Sequence, residues 1–233
     1  MIYTILGEEF TPQFSLPLGG DFTSKDFIPI DLSKKNPDLN RGKTDDLAGL
    51  DAYIFKKIKA AKAKCAFGGY GEKRDLYKRS ALFADTEEYR SIHLGVDFWA
   101  PAGTDVIAPL PGRIHSFKNN DNPGDYGPTI ILEHYIGNQK IHSLYGHLSK
   151  VSLLGLLEGQ IINRGQKIGT LGIADENRDW PPHLHFQLIK DIGDYKGDYP
   201  GVCRKKDKDY FLANCPDPLA FFQNSWSKIL KAN

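Results

Sequence analysis

From about residue 90, short apolar stretches of the chain alternate with turn-forming residues every 8–12 positions. The stretches are LGVDFWA, TDVIAPL, GRIHSF, TIILEHY, KIHSLYGHL, GQIINRG, QKIGTLG and HLHFQLI, and Gly, Pro and Asn separate them. This rhythm is typical of an all-β sandwich or barrel rather than of alternating strands and helices. We therefore predict a mainly β protein whose central part is an antiparallel β-sandwich.

The preceding part of the chain has a different pattern. Residues 1–48 carry polar and turn-forming clusters and are expected to be irregular. Apolar residues then recur at the spacing of one helix face, namely Leu47, Leu50, Ile54 and Ile58. Aspartates precede this stretch and lysines end it, which complements the helix dipole. We predict a helix over about 46–64, followed by a plain loop in the glycine-rich FGGYGEKR at 67–74.

These patterns divide the chain into two parts. Residues 1–75 are predicted to form a mixed accessory segment that contains the single helix. Residues 76–233 are predicted to form the main domain, with its motifs at about 92–190. The tail after that core is loop-rich, and SWSKIL near its end predicts one last short helix.

Composition narrows the function classes. The 233 residues are 40% hydrophobic and 25% charged, as in ordinary globular proteins. For a chain of this length, folding can bury about 70% of the accessible surface of the unfolded chain. The formal net charge of +1 gives no electrostatic reason to expect a nucleic acid partner. No apolar run approaches 18 residues, so we predict no transmembrane segment. The oligomeric state is not indicated.

The three cysteines are too few for a disulfide framework. A bridge between Cys203 and Cys215 is conceivable in an oxidising compartment, but buried thiols are the favoured expectation for all three. The first residues, MIYTILGEEFTPQF, lack a basic start, an apolar stretch and a cleavage site. By this criterion alone, we would expect a cytoplasmic location.

Two groups among the seven histidines have metal-ligand spacing. His93 and Asp97 are four apart in HLGVD, and His183 and His185 are two apart in HLH. On strands, these even offsets place both members of a pair on one face. Two histidines and one carboxylate, with a fourth position for water, are typical of a catalytic zinc site. Either motif alone is commonplace, but a further histidine, His147 in LYGHL, lies between them.

The remaining histidines are expected to have ordinary structural roles. His115 and His134 are interpreted as hydrogen-bonding residues on strands, and His142 as a solvated edge position. Tyr145 and Trp180 flank the motifs. Trp180 is a candidate for lining the cleft, and for both residues a place in the core is an alternative at least as well favoured.

The combined motifs resemble the lysostaphin-like (LytM-type) zinc metallopeptidases. HLGVDFWAPAGTDVIAPLPGRI, LYGHLS, GQIINRGQKIGTLG and PPHLHFQ occur in the order of that family and cover about 92–190. The resemblance implies a barrel-sandwich fold (duplicated hybrid motif). It also implies Zn²⁺ as cofactor, His93, Asp97 and His185 as its ligands, and His147 and His183 as catalytic residues.

The activity implied by this resemblance is zinc-dependent hydrolysis of a peptide-like bond by metal-activated water. The family suggests an endopeptidase or amidase acting on peptidoglycan or glycine-rich cross-links, and a location in the cell envelope or periplasm. The chain departs from typical members in GIADENRDWPPHLHF, LLGLLEGQ, DYPGVC and NCPDP. These features are similar to those of a minor branch found in fused multidomain proteins.

Two other classes of function are weighed against hydrolysis. The first is a non-hydrolytic partner-binding or regulatory module of the same architecture, which would need no intact ligand set. The second is a sugar-transport phosphocarrier, whose fold is similar and which uses paired histidines. A phosphocarrier gives no reason for Asp97, and the complete ligand set favours the metallopeptidase.

Overall fold

The computed structural model describes residues 3–5, 8–10, 15–39, 47–79, 88–177 and 179–222. Within this part of the chain there are fourteen strands and two α-helices. In chain order they are β1 (Tyr3–Ile5), β2 (Glu8–Phe10), β3 (Phe27–Pro29), α1 (Leu47–Ala60), β4 (Cys65–Gly68), β5 (Ile92–His93), β6 (Val96–Trp99), β7 (Asp105–Ile107), β8 (Gly112–Asn120), β9 (Gly127–Ile136), β10 (Gln139–Gly146), β11 (Ile161–Ile162), β12 (Lys167–Thr170), β13 (His183–Ile189), β14 (Val202–Cys203) and α2 (Lys208–Asn214).

One eight-stranded sheet dominates the structure, with strand order β11-β8-β9-β10-β13-β6-β4-β3. Its pairings are antiparallel except for the parallel pair β3–β4. Strands β7 and β12 form a separate small sheet. Apolar residues of this small sheet share one buried cluster with those of the large sheet, including Val106 and Ile168 with Phe98, Ile130 and Leu132. The predicted mainly β class is confirmed.

Local sequence explains the longest hairpin. Strands β9 and β10 carry TIILEHYI and KIHSLYG, whose β-branched and aromatic residues favour extended backbone. A two-residue turn joins Ile136 to its partner Gln139. Gly137 occupies the first turn position with φ of 58°, the left-handed conformation that this type of hairpin requires. The turn pairs β10 with β9. Because β13 pairs with the other edge of β10, this strand lies in the interior of the sheet.

The accessory segment contributes to the same sheet, because β4 pairs with β6 and β3 extends the sheet beyond β4. The expectation that residues 1–48 are irregular was wrong at β1, β2 and β3. The loop predicted at 67–74 begins inside β4, since Phe67 and Gly68 belong to that strand. The boundary between residues 75 and 76 stays a prediction.

Helix α1 confirms the predicted helix, although it ends earlier, at Ala60. Lys62 follows it in a left-handed conformation, and the amide of Ala63 donates to the carbonyl of Ile58. The buried face of the helix packs into an apolar cluster that also contains Trp99 and Trp180. Its apolar residues therefore form a wall beside these two tryptophans.

The tail contains one short helix, α2, where a loop-rich region was predicted, and the helix predicted in SWSKIL lies outside the described residues. All three cysteines are buried free thiols. None of the helices in the described ranges has the length and apolarity needed to cross a bilayer.

Candidate metal centre and active site

Pairing of β6 with β13 brings the two motif strands together. In this antiparallel register Asp97 lies directly opposite His185, and Trp99 lies opposite His183. His93 comes from β5, four residues before Asp97. Strand pairing therefore joins residues about 90 positions apart.

Three donor atoms face one another at this point. His93 Nε2 lies 2.9 Å from His185 Nδ1, and Asp97 Oδ1 lies 3.3 Å from His93 Nε2 and 3.2 Å from His185 Nδ1. All three residues are buried. In the part of the chain that the structure describes, they form the one group of three or more ligand-type side chains close enough to hold a metal ion.

The outer hydrogen bonds of the two histidines determine which ring nitrogens carry protons. The Nδ1–H of His93 donates to the carbonyl oxygen of Gly69 at 2.9 Å, since a carbonyl can only accept. The Nε2–H of His185 donates to Gln187 Oε1 at 2.9 Å. The amide of Gln187 is oriented in turn, because its NH₂ group donates to the carbonyl of Pro200. Both nitrogens that face Asp97 therefore present lone pairs.

Two imidazole lone pairs and a carboxylate at such short range form a donor set suited to a cation. Burial, reinforced by the charge of Arg74, lowers the pKa of His93 to about 3, so this ring is neutral at pH 7. Burial alone would raise the pKa of Asp97, but the permanent charge of Arg74 beside it holds that pKa well below its usual range. With zinc–ligand bonds of about 2.0–2.1 Å, neighbouring donors in a tetrahedron are about 3.3 Å apart. The donor set and its spacing therefore fit Zn²⁺.

Steric constraints explain why a glycine, Gly95, lies between His93 and Asp97. A Cβ atom on Gly95 would lie 2.7 Å from the ring of His185 and 2.7 Å from the carbonyl oxygen of Phe186. Any larger residue would push the His185 ring away from its position. The H-x-G-x-D pattern therefore combines two ligands with the space that the third ligand needs.

His147 and His183 lie beside the three donors. Their ring centroids are 4.1 Å apart, and His183 Nε2 is 3.8 Å from Asp97 Oδ1. The Nδ1–H of His183 donates to the carbonyl of Pro181 at 2.7 Å, and that of His147 faces the carbonyl of Asn177 at 3.4 Å. Burial lowers the pKa of both rings, most strongly for His147. Each ring is thus neutral at pH 7, with Nε2 available for a proton.

His147 has a left-handed backbone with φ of 63°, which is rare for a residue with a side chain. Two backbone hydrogen bonds hold it there. Its amide donates to the carbonyl of Tyr126, and its carbonyl accepts from the amide of Gly172. This backbone conformation directs the side chain of His147 towards His183, just after the end of β10.

Aromatic side chains line part of an open cavity of about 250 Å³ that also contains these residues. Trp99 stacks on His183 with 6.0 Å between ring centroids, and the indole N–H of Trp180 donates to the carbonyl of Gly124. Trp180 lines the cavity and also belongs to a buried apolar cluster, so both of its expected roles apply. Tyr145 is a core residue whose hydroxyl accepts a hydrogen bond from Ser143. Sequence reasoning missed Tyr126, whose ring contacts His147 and His185.

Histidines outside the centre have structural partners. His134 bridges the carbonyl of Pro111 and the hydroxyl of Ser143, and His115 bonds Ser116. The expectation of a solvated edge position for His142 was wrong, because its side chain is only 3% exposed. Its strand, β10, lies in the interior of the sheet, where β9 and β13 cover both edges.

Part of the sequence also matches a known protein family. Residues 91–197 match the model of peptidase family M23. This match confirms the resemblance of the motif-bearing region to the lysostaphin-like peptidases.

Two curated relatives are peptidases by name. The chain is 36% identical over 96 residues to the DD-carboxypeptidase/endopeptidase Mpg of Neisseria meningitidis serogroup B, which covers 41% of this chain and 20% of that protein. It is 29% identical over 147 residues to the peptidoglycan DD-endopeptidase ShyC of Vibrio cholerae, covering 60% of this chain and 31% of that protein. This chain therefore matches about a fifth to a third of the length of these relatives.

Solved structures of similar proteins include the catalytic domain of the antimicrobial peptidase lysostaphin from Staphylococcus simulans. That chain is 24% identical, with a TM-score of 0.40, and the match covers 62% of this chain and 90% of that one. A zinc-containing peptidase from Vibrio cholerae is 32% identical, with a TM-score of 0.35, over 42% of this chain and 27% of that one.

Proposed function

We propose that this protein is a zinc-dependent metallopeptidase that hydrolyses a peptide bond in the cross-links of peptidoglycan. One observation carries the proposal: two histidine lone pairs and an ionised carboxylate face one another at 2.9–3.3 Å, with two further neutral histidines beside them. A merely structural histidine cluster needs no such convergence of unprotonated nitrogens.

His93, Asp97 and His185 would hold the zinc ion. When bound, zinc lowers the pKa of a coordinated water towards about 7 and polarises the carbonyl that is attacked. Three protein ligands leave a fourth position open, as in catalytic rather than structural zinc sites. The carbonyl of Gly69 and the amide of Gln187 keep the two imidazoles in the required tautomers.

His147 and His183 would manage the proton transfers. Both rings are neutral at pH 7 because burial lowers their pKa, so each can accept a proton at Nε2. The partners of Nδ1 are backbone carbonyls, which keep that nitrogen protonated and orient the ring. One ring takes the proton of the attacking water, and an imidazolium then donates to the departing amine. Such general acid–base catalysis contributes roughly 10²–10⁴-fold to rates.

The substrate class rests on the relatives and on the site. Both curated relatives described above are peptidases named for DD-peptide bonds, and one of them is named for peptidoglycan. The aromatic walls of the cavity, Trp99 and Trp180, adjoin the catalytic pair and would pack against the stem peptide. A peptide cross-link is therefore the substrate that we propose.

Incubation with purified peptidoglycan tests this function, with newly released amino groups and mass spectra of the fragments as readouts. We expect cleavage by the wild-type protein with zinc, and none with a chelator or in the His183→Ala variant. The Arg113→Met variant, changed at an ion pair on β8, should cleave normally and controls for general damage. Peptidoglycan binding without cleavage would favour the non-hydrolytic module instead.

A further inference from the structure

Residues 68–77 lie outside the segment that matches the family, yet they contact the metal-ligand residues directly. Gly68 pairs with Asp97 across β4 and β6. The carbonyl of Gly69 accepts from His93, and the ring of Tyr77 stacks over His93 with 6.4 Å between centroids. This stretch therefore packs against two of the three donors.

Arg74 makes the strongest of these contacts. Its side chain is 3% exposed, and Nη1 donates to Asp97 Oδ2 at 2.6 Å and to the hydroxyl of Tyr77 at 3.1 Å. Nε donates to Glu72 Oε2 at 2.5 Å. One oxygen of Asp97 is thus occupied by Arg74, and the other, Oδ1, is left facing the two histidines.

We propose that Arg74 is a positioning residue that holds Asp97 in the orientation required for the metal ion, so that the accessory segment completes the metal centre. This inference rests on the zinc function proposed above. Two bonds from a planar guanidinium fix the angle between Asp97 and Glu72, which a single point charge cannot do. Without it, the Asp97 carboxylate is free to rotate and to present either oxygen.

The backbone leaves room for the guanidinium. Gly69 has φ of 103°, and a Cβ atom at this position would overlap Nη2 of Arg74. A glycine here satisfies both the backbone conformation and the space that Arg74 occupies. The glycine-rich stretch interpreted as a plain loop thus has a specific task next to the metal centre.

Charge balance explains how an arginine can lie beside a cation site. The Arg74 charge would repel a metal ion, but the carboxylate of Glu72 lies against the same guanidinium and opposes part of that repulsion. Glu72 is held in place by the backbone amide of Leu32, which donates to Oε1 at 3.0 Å. Loss of Arg74 removes the hydrogen bond that orients Asp97. We expect this loss to outweigh the partly opposed repulsion, so that metal binding weakens.

The test compares zinc affinity and the visible absorption of bound Co²⁺ in the wild-type protein and three variants. Arg74→Met should weaken zinc binding by about 10–100-fold, the usual effect of removing a partner that orients a metal ligand, and should change the Co²⁺ spectrum. Arg74→Lys should recover part of the affinity, because one bond to Asp97 can re-form. Arg113→Met, which breaks an arginine–glutamate pair on β8, should bind as tightly as wild type.

The results of these measurements distinguish a failure of the Arg74 proposal from a failure of the proposed zinc function. Absence of zinc binding by the wild-type protein would overturn the proposed function itself. Wild-type affinity and spectrum in Arg74→Met would overturn only the role of Arg74. If Arg74→Met does not fold, Arg74→Lys takes its place: with a single point charge on Asp97 it should bind zinc more weakly than wild type. Unchanged affinity and an unchanged Co²⁺ spectrum in Arg74→Lys would then overturn the role of Arg74.

Discussion

Replacement of Gln187 by Met should weaken zinc binding while retaining all three ligands. Gln187 is fully buried on β13. Its Oε1 accepts the Nε2–H of His185 at 2.9 Å, and its NH₂ group donates to the carbonyl of Pro200 at 3.1 Å and to Cys215 Sγ at 3.3 Å. Methionine is similar in length and flexibility but makes none of these bonds. The His185 ring then loses the partner that keeps its Nδ1 unprotonated.

The magnitude follows from the groups left without partners. Loss of a partner that orients a metal ligand typically costs 10–100-fold in affinity, or about 1.4–2.7 kcal/mol. The hydroxyl of Tyr126 lies 3.5 Å from the same nitrogen and can partly replace the acceptor. We therefore expect a loss near tenfold. The unpaired carbonyl of Pro200 should separately lower the free energy of unfolding by about 1–3 kcal/mol.

Competition with a chromophoric chelator measures zinc affinity, and urea denaturation in excess chelator measures stability. Gln187→Glu is the matched control, because a carboxylate still accepts from His185 but cannot donate to Pro200. This variant should lose stability and keep zinc affinity. Unchanged affinity in Gln187→Met, or equal losses of affinity in both variants, would refute the reasoning.

Three further changes test other parts of the structure. Burial lowers the pKa of His134 from 6.5 to about 4, so the unfolded chain binds an extra proton between these pH values. About 3 kcal/mol of stability should be lost between pH 7 and 4, and urea titrations of His134→Gln should lack that part of the pH dependence. Gly95→Ala should displace His185 and reduce zinc affinity by about tenfold or more, measured by chelator competition; wild-type affinity would contradict the steric argument. Ile54→Ala, on the fully buried face of α1, should lower the free energy of unfolding by about 2–5 kcal/mol, and a change below 1 kcal/mol would show that the helix packs loosely.

The sequence predicted those parts of the structure that local patterns determine. Apolar stretches separated by turn residues predicted the β class, and helical spacing predicted α1. The convergence of His93, Asp97 and His185 followed from two motifs with even spacing and from the family resemblance. Their roles as ligands, and those of His147 and His183 in catalysis, stay predictions until metal and activity are measured.

Contacts between distant segments were beyond the reach of these patterns. Arg74 meets Asp97 only because β4, a four-residue strand, pairs with β6. A strand this short has too few residues for a periodicity to be visible. The burial of His142 depends on strand order, which local hydropathy does not reveal. Gln187 is indistinguishable in the sequence from any polar residue on a strand.

Zinc content of the purified protein, compared with that of the His185→Ala and His147→Ala variants, tests the central claim most directly. We expect one zinc ion per chain in the wild-type protein and in His147→Ala, and its loss in His185→Ala. Zinc lost from His147→Ala but kept by His185→Ala would contradict the assignment of ligands. A wild-type protein that binds no zinc even when it is supplied would contradict the metal centre as a whole.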